Sequence, residues 1–174
     1  KNNSPFLKYS SPLLILAFCL LRLAIGPVFA QEKSIKKPDP RLILSQVKFD
    51  TQEDLEESQR LLQNALAFDP GNPDYHFELS RGYGAFYDVS LKGRGTPDVH
   101  YLDLSEHELQ QVLMIRPHDI PAHYNLGVID KRRKQGGRAR DEFRRVLSLS
   151  ASEPGAPVSI SAWMQIGATY EDQG

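Results

Sequence analysis

Along most of the chain, apolar residues recur every three or four positions, the period of an amphipathic helix. Leu62, Ala65 and Leu66 form one stripe, and Leu109, Val112 and Leu113 repeat it. Ala139, Phe143, Val146 and Leu147 fall at i, i+4, i+7 and i+8, a third copy. These stripes predict helices over 57–68, 104–115 and 139–149. The first two end in Asp69-Pro70 and Arg116-Pro117, where an interior Pro would lose a hydrogen bond and clash one turn back. Asp50 with Glu53, and Thr51 with Asp54, offer overlapping capping boxes ahead of the first. A second type of helical frame alternates with these stripes: His76-Phe77-Glu78-Leu79-Ser80-Arg81-Gly82-Tyr83, then His123-Tyr124-Asn125-Leu126-Gly127, then Trp163 to Tyr170. A weaker frame, Arg41 to Phe49, precedes them all. The alternation predicts an all-α domain of helical hairpins.

The hairpins repeat one another, and the repeat identifies the architecture. Residues 163–174 carry Trp163, Ile166, Gly167, Tyr170 and Gly174; residues 120–151 carry Leu126, Gly127, Ala139, Phe143 and Val146. The unit from Pro73 to Pro117 keeps Leu79, Tyr83, Leu109, Val112 and Pro117, with Ser80 for Gly and Ser105 for Ala. This resembles the tetratricopeptide repeat family, whose 34-residue helix–turn–helix unit carries W-x2-L-G-x2-Y, then A-x3-F, then P. Asp130 stands at the Tyr position, and Ser45 and Gln46 stand where the first unit should have Leu and Gly. The resemblance covers residues 41–174 and implies an α-α superhelix of three to four units, about 41–72, 73–119, 120–159 and 160–174. No such hairpin covers its own apolar face, so units must stack. Small residues at Gly127 and Gly167 are expected to let paired helices approach, with Trp163 and Tyr170 filling the groove between units.

Spacing shows where the chain departs from the family. Leu79 to Leu126 is 47 residues, as is Pro70 to Pro117, an excess of 13 that falls inside the second unit around Gly84 to His100. Leu126 to Ile166 is 40, an excess of 6 assigned to the Ser148–Val158 loop with Pro154 and Pro157. The chain starts at Lys1 rather than Met, and reaches Gly174 where the fourth unit should turn; the expectation is a fragment of a longer repeat protein.

Residues 1–30 are different material. They hold Lys1, Lys8 and Arg22, no acid, an unbroken apolar run from Leu13 to Leu21, and small residues before Gln31. That is the pattern of a cleaved signal peptide, implying an exported, bacterial periplasmic protein. The alternative is an uncleaved inner-membrane anchor over residues 13–29, with Arg22 a costly charge inside it. A lipid anchor at Cys19 is not expected, because Phe18 is not small. Residues 31–40, polar with Pro38 and Pro40, read as a linker.

Composition narrows the function. The chain carries 21 Lys and Arg against 22 Asp and Glu, so no global field favours nucleic acid. Cys19 is the one cysteine, which excludes a disulfide framework and any CxxC metal or redox site. Lys92-Gly93-Arg94-Gly95-Thr96 lacks GxxxxGK[ST] and follows no strand, so it reads as a flexible turn. His118 with His123, and His100 with His107, miss the HExxH spacing; His123 reads as a packed residue. Glu56-Glu57 lie on a solvated face, and there is no GxSxG. No catalytic, cofactor-binding or metal-binding residues are expected, and the chain is not read as an enzyme.

One patch stands out. Lys131, Arg132, Arg133, Lys134, Arg138, Arg140, Arg144 and Arg145 crowd eight cations together, with Asp141 and Glu142 among them. They read either as a solvated helix end and turn or as a docking surface for an acidic partner. The resemblance implies that first-helix residues line a concave binding face, here Asp74, Phe77 and Arg81 of the second unit with Tyr124, Val128, Lys131 and Arg132 of the third. It implies an exported scaffold that binds a protein or peptide, expected to be acidic, with no nucleic acid, no cofactor, and membrane contact only through an uncleaved N-terminal segment. The alternative is the repeat region of a larger enzyme or transferase. Some members clamp a chaperone tail, but only Asn125 matches that site, and Phe77, Arg81, Ser161 and Gln165 do not; chaperone-tail binding is not predicted.

Overall fold

A computed structural model of the chain describes residues 39–93, 96–152 and 155–171, all within one compact unit spanning residues 37–174. The expectations that rest on residues 1–38, on Arg94 and Gly95, on Pro154 and on Gly174 lie outside the described residues. The described residues form seven helices and no strand: α1 Pro40–Leu44, α2 Gln52–Phe68, α3 Pro73–Lys92, α4 His100–Ile115, α5 Ile120–Arg132, α6 Gly136–Leu149 and α7 Pro157–Glu171. Each helix packs on its neighbours in sequence, most extensively within the α3/α4 and α5/α6 hairpins. The architecture is an α-α superhelix.

Local chemistry sets the helix ends. Thr51 and Asp54 close the capping box of α2, while Asp50 takes no part. Asn72 and Asp119 cap α3 and α5 through their side chains, each followed closely by Pro in the first turn, where a missing N–H is harmless. α1 is shorter than the expected 41–49. Ser45 and Gln46 side chains both donate to the Leu42 carbonyl, at 2.8 and 3.0 Å, in competition with the backbone. Beyond them the Ser58 hydroxyl receives the Lys48 N–H and donates to the Lys48 carbonyl, both at 2.8 Å, which holds that strand of chain extended along α2.

The excess in the second unit is mostly helix, not loop. α3 runs thirteen residues past Leu79 to Lys92, against six from Leu126 to Arg132 in α5. α4 starts at His100 rather than near Leu104. The extension is held by stacking of Phe86 on Tyr101 at 5.2 Å, and by Tyr87 and Leu102, both buried. The Ser90 hydroxyl receives the Asp98 N–H at 3.1 Å, which ties the start of α4 to the end of α3.

Three apolar clusters follow one another along the chain, as in a stacked array. Ile43, Leu62, Ala65, Tyr75, Leu79 and Tyr83 form the first; Tyr87, Leu102, Leu109, Val112, Ala122 and Ile129 the second; Ala139, Phe143, Val146, Ala162 and Ile166 the third. A polar bridge recurs beside them. His76 Nε2 donates to the Pro70 carbonyl at 2.8 Å while Nδ1 lies 2.6 Å from Glu108. His123 does the same with Pro117 at 3.1 Å and Glu142 at 2.7 Å. Each buried imidazole thus ties the end of one unit to both helices of the next, and His123 is the packed residue expected from its frame.

Two expectations about the helix contacts fail at α7. Trp163 and Tyr170 fill no groove: they are 63% and 54% exposed, because among the described residues no helix lies over that face. Gly167 likewise faces open space, with nothing within 4 Å of an added Cβ. Gly127 does serve close approach, since its Cβ would lie 2.6 Å from the Phe143 ring. Among the described residues no helix is long and apolar enough to cross a membrane.

The two glycines therefore predict opposite outcomes. Gly127→Ala gains about 1 kcal/mol of helix propensity but overpacks a fully buried ring, for a net loss of about 1–2 kcal/mol. Gly167→Ala keeps the propensity gain and should raise stability by up to about 1 kcal/mol. Urea midpoints of the two variants, moving in opposite directions, check this.

Candidate groove and basic cluster

The first helices of successive hairpins line two adjoining cavities. The larger, about 600 Å³, is walled by Val128, Lys131 and Arg132 of α5, Lys134 in the turn, Gly136, and Gln165 and Thr169 of α7. The smaller, about 320 Å³, lies between Phe49, Arg81, Gly84, Ala85 and Asp88 on one side and Asn125, Val128 and Arg132 on the other. Val128 and Arg132 belong to both, so the two form one groove running from the second unit through the third to α7 of the fourth.

Of the six candidate residues, four lie on this groove. Arg132 sits at its centre, donating through Nη2 to both oxygens of Asp88 at 2.7 and 2.8 Å, with its guanidinium 5.4 Å from the Tyr87 ring centroid. Lys131 donates to the Gln165 amide oxygen at 3.0 Å, a neutral partner that leaves its charge uncancelled. Arg81 is exposed, paired with Glu78 and 5.4 Å from the Phe49 ring. Val128 forms the apolar floor. Phe77 and Tyr124 line neither cavity. Phe77 packs half-buried against the second apolar cluster, and Tyr124 tilts on Phe143 with centroids 5.6 Å apart.

Gln165 and Asp88 complete the groove without having been singled out as partner-binding residues, and Lys134 joins them from the basic cluster. Asp88 falls on the stretch of α3 that spacing assigned to an insertion. Besides its place in the cation run, Lys134 has a signal in the backbone: its φ is 60°, the left-handed region that favours Gly. Its N–H donates to the Lys131 carbonyl and that of Gln135 to the Asp130 carbonyl, the paired closure of a Schellman turn. A lysine at this position strains the backbone, and its side chain lines the larger cavity.

Most of the basic cluster is spent on the protein itself. Arg133 bridges Asp103 and Glu106 of α4, and Arg138 reaches Glu106 at 3.3 Å and Asp130 at 3.6 Å. Burial opposes the Arg133 charge, but Glu106 and Asp103 outweigh it and push its pKa up further. Arg144 pairs with Asp141, and Arg140 lies 4.4 Å over the Tyr170 ring. Lys134 and Arg145 have no carboxylate partner among the described residues. The cluster is thus glue between units on one side, and an uncancelled charge on the groove at Lys131 and Lys134. No group of three His, Cys, Asp or Glu residues could hold a metal ion among the described residues. Glu56 and Glu57 are exposed.

No protein-family model matches the sequence, and no curated protein matches it. Among solved structures, a crystal structure of MamA protein aligns over 77% of this chain and 82% of that one, at 17% identity and a TM-score of 0.38. The first tetratricopeptide repeat domain of Spaghetti (RPAP3), bound to HSP90 peptide SRMEEVD, aligns over 79% of this chain and 98% of that one, at 16% identity and a TM-score of 0.57. The chain has the tetratricopeptide repeat fold.

Asp130, buried beside this network, gives a pH prediction. Burial pushes its carboxyl above the usual range; Arg138 and Arg133 pull against that shift and Glu106 adds to it. The folded protein then binds this proton more tightly than the unfolded chain, so stability falls as pH rises through the raised value. Asp130→Asn should be more stable than the parent at neutral pH. The advantage should vanish below the ordinary Asp range, as urea melts across pH will show.

Proposed function

We propose that this protein is an interaction scaffold whose groove receives an acidic, extended segment of a partner protein. The carrying observation is the larger cavity: Lys131, Arg132 and Lys134 face it, and among the described residues no carboxylate lines it. Arg132 is already bound to Asp88 and shapes the wall, so attraction falls to Lys131 and Lys134, with Val128 supplying apolar contact. The strain at Lys134 supports the reading, because a residue held in an unfavourable backbone region tends to mark a functional position. The likeness to a repeat domain that holds a peptide rich in Glu and Asp fits the same chemistry.

The test is selection of seven-residue segments from a random display library on the immobilised chain. Acidic sequences should be enriched, and their affinity should fall with salt. Lys131→Glu with Lys134→Glu should weaken the selected peptides by about tenfold or more and flatten the salt dependence. Lys134→Gly should weaken them too, while raising stability by about 1 kcal/mol through relief of the left-handed strain. Enrichment of basic or purely apolar segments would overturn the proposal.

We also propose that the scaffold works outside the cytoplasm, on the pattern of residues 1–30. N-terminal sequencing of protein recovered from its native cells should find Gln31 first. An intact 1–30 segment on membrane-bound protein would support the anchor instead.

A further inference from the structure

The two ends of the groove differ in charge. Lys131 and Lys134 leave the larger cavity positive: the first meets only the Gln165 amide, and the second has no carboxylate partner among the described residues. In the smaller cavity each cation is already met by an acid. Arg81 donates to both oxygens of Glu78 at 3.0 and 2.8 Å, and Arg132 to both oxygens of Asp88 at 2.7 and 2.8 Å. The hydroxyls there are engaged as well, Ser80 with the Phe77 carbonyl and Ser105 with the Ser80 carbonyl. Besides the Asn125 amide, an occupant meets the apolar wall of Phe49, Ala85, Val128 and Ile129.

Asp88 owes its place to the extra length of α3. It lies nine residues past Leu79, well inside that helix. Nine residues past Leu126 is Gln135, where α5 has already ended. The acid is therefore a product of the extension. Its side chain stays 47% exposed while holding Arg132, so its charge still fronts the cavity. A carboxylate arriving at this end would compete with Asp88 for one guanidinium and lie beside a like charge. An apolar side chain meets neither cost and gains from burial.

We propose that Asp88 is the specificity-determining residue of the groove. It divides the groove into an acid-selecting end at Lys131 and Lys134 and an apolar-selecting end at Phe49. The partner segment gathers its acidic residues at one end and carries a bulky apolar residue at the other. This rests on the reading of the groove as a binder of acidic segments, and it narrows that class to segments of uneven charge.

The probe is the seven-residue display library, selected in parallel on the 174-residue chain and its variants and read as residue frequency at each position. On the parent, acids should be enriched at one end and Leu, Ile or Phe at the other. Asp88→Asn keeps an oxygen for Arg132 but removes the charge, so acids at the apolar end should rise by about tenfold in frequency. Arg132→Gln leaves Asp88 uncancelled and should draw Lys or Arg to that end. The double variant, Asp88→Asn with Arg132→Gln, loses one charge of each sign and should restore the parent profile, which a merely structural role for the pair would not do. Circular dichroism should show parental helix content in all three, because a partly exposed pair contributes little to stability. Acids spread along the whole segment on the parent, or an unchanged profile with Asp88→Asn, would overturn this inference and leave the acidic-segment reading standing. No enrichment of acids at any position on the parent would overturn that reading, and this one with it.

Discussion

A helical hairpin of this size exposes an apolar face on each side, so everything in the structure depends on how one hairpin is fastened to the next. The fastener is a buried imidazole. His76 and His123 each stand at the start of a hairpin, donate to the carbonyl of the Pro that ended the previous helix, and meet a Glu on their own second helix. Three helices are thereby referred to one ring. Apolar packing is non-directional and would tolerate sliding; these hydrogen bonds are directional and do not. The Pro that stops α2 or α4 also frees the carbonyl that the ring needs.

Much of this was legible in the residues. The stripes of Leu62 and Ala65, Leu109 and Val112, and Phe143 and Val146 are the second helices, and all six side chains are buried. Gly127 beneath Phe143 follows from the same register. What was not legible depends on partners that register leaves out. Trp163 and Tyr170 have the right types to be buried, but among the described residues no helix lies above them. α1 breaks early because Ser45, Gln46 and Ser58 supply local hydrogen bonds that compete with the helix. The longer second unit was visible as an excess in spacing; that it continues as helix depends on Phe86 meeting Tyr101, a contact between residues 15 apart in sequence.

The candidate site divides along the same line. A run of eight cations indicates charge but not where it is spent. Arg132, Arg133 and Arg138 reach carboxylates on α3 and α4, outside their own hairpin. Such pairs fix how neighbouring units are oriented, and the exposed ones among them contribute little to stability. Lys131 and Lys134 are left facing a cavity, one beside an amide and one on a strained turn. The groove is positive because these two were not recruited.

The unequal length of the second hairpin bears on folding fidelity. Arrays of similar units risk pairing a helix with the wrong neighbour, because each unit offers nearly the same face to all others. α3, at 20 residues, is a poor match for the 14-residue α6: the stretch beyond Tyr83, with Phe86 and Tyr87, would have no Tyr101 or Leu102 to cover it. At 1.5 Å per residue, the six-residue mismatch leaves about 9 Å of helix uncovered. The long hairpin acts as a key that admits one partner, so a chain built from look-alike parts carries its own proofreading against misassembly.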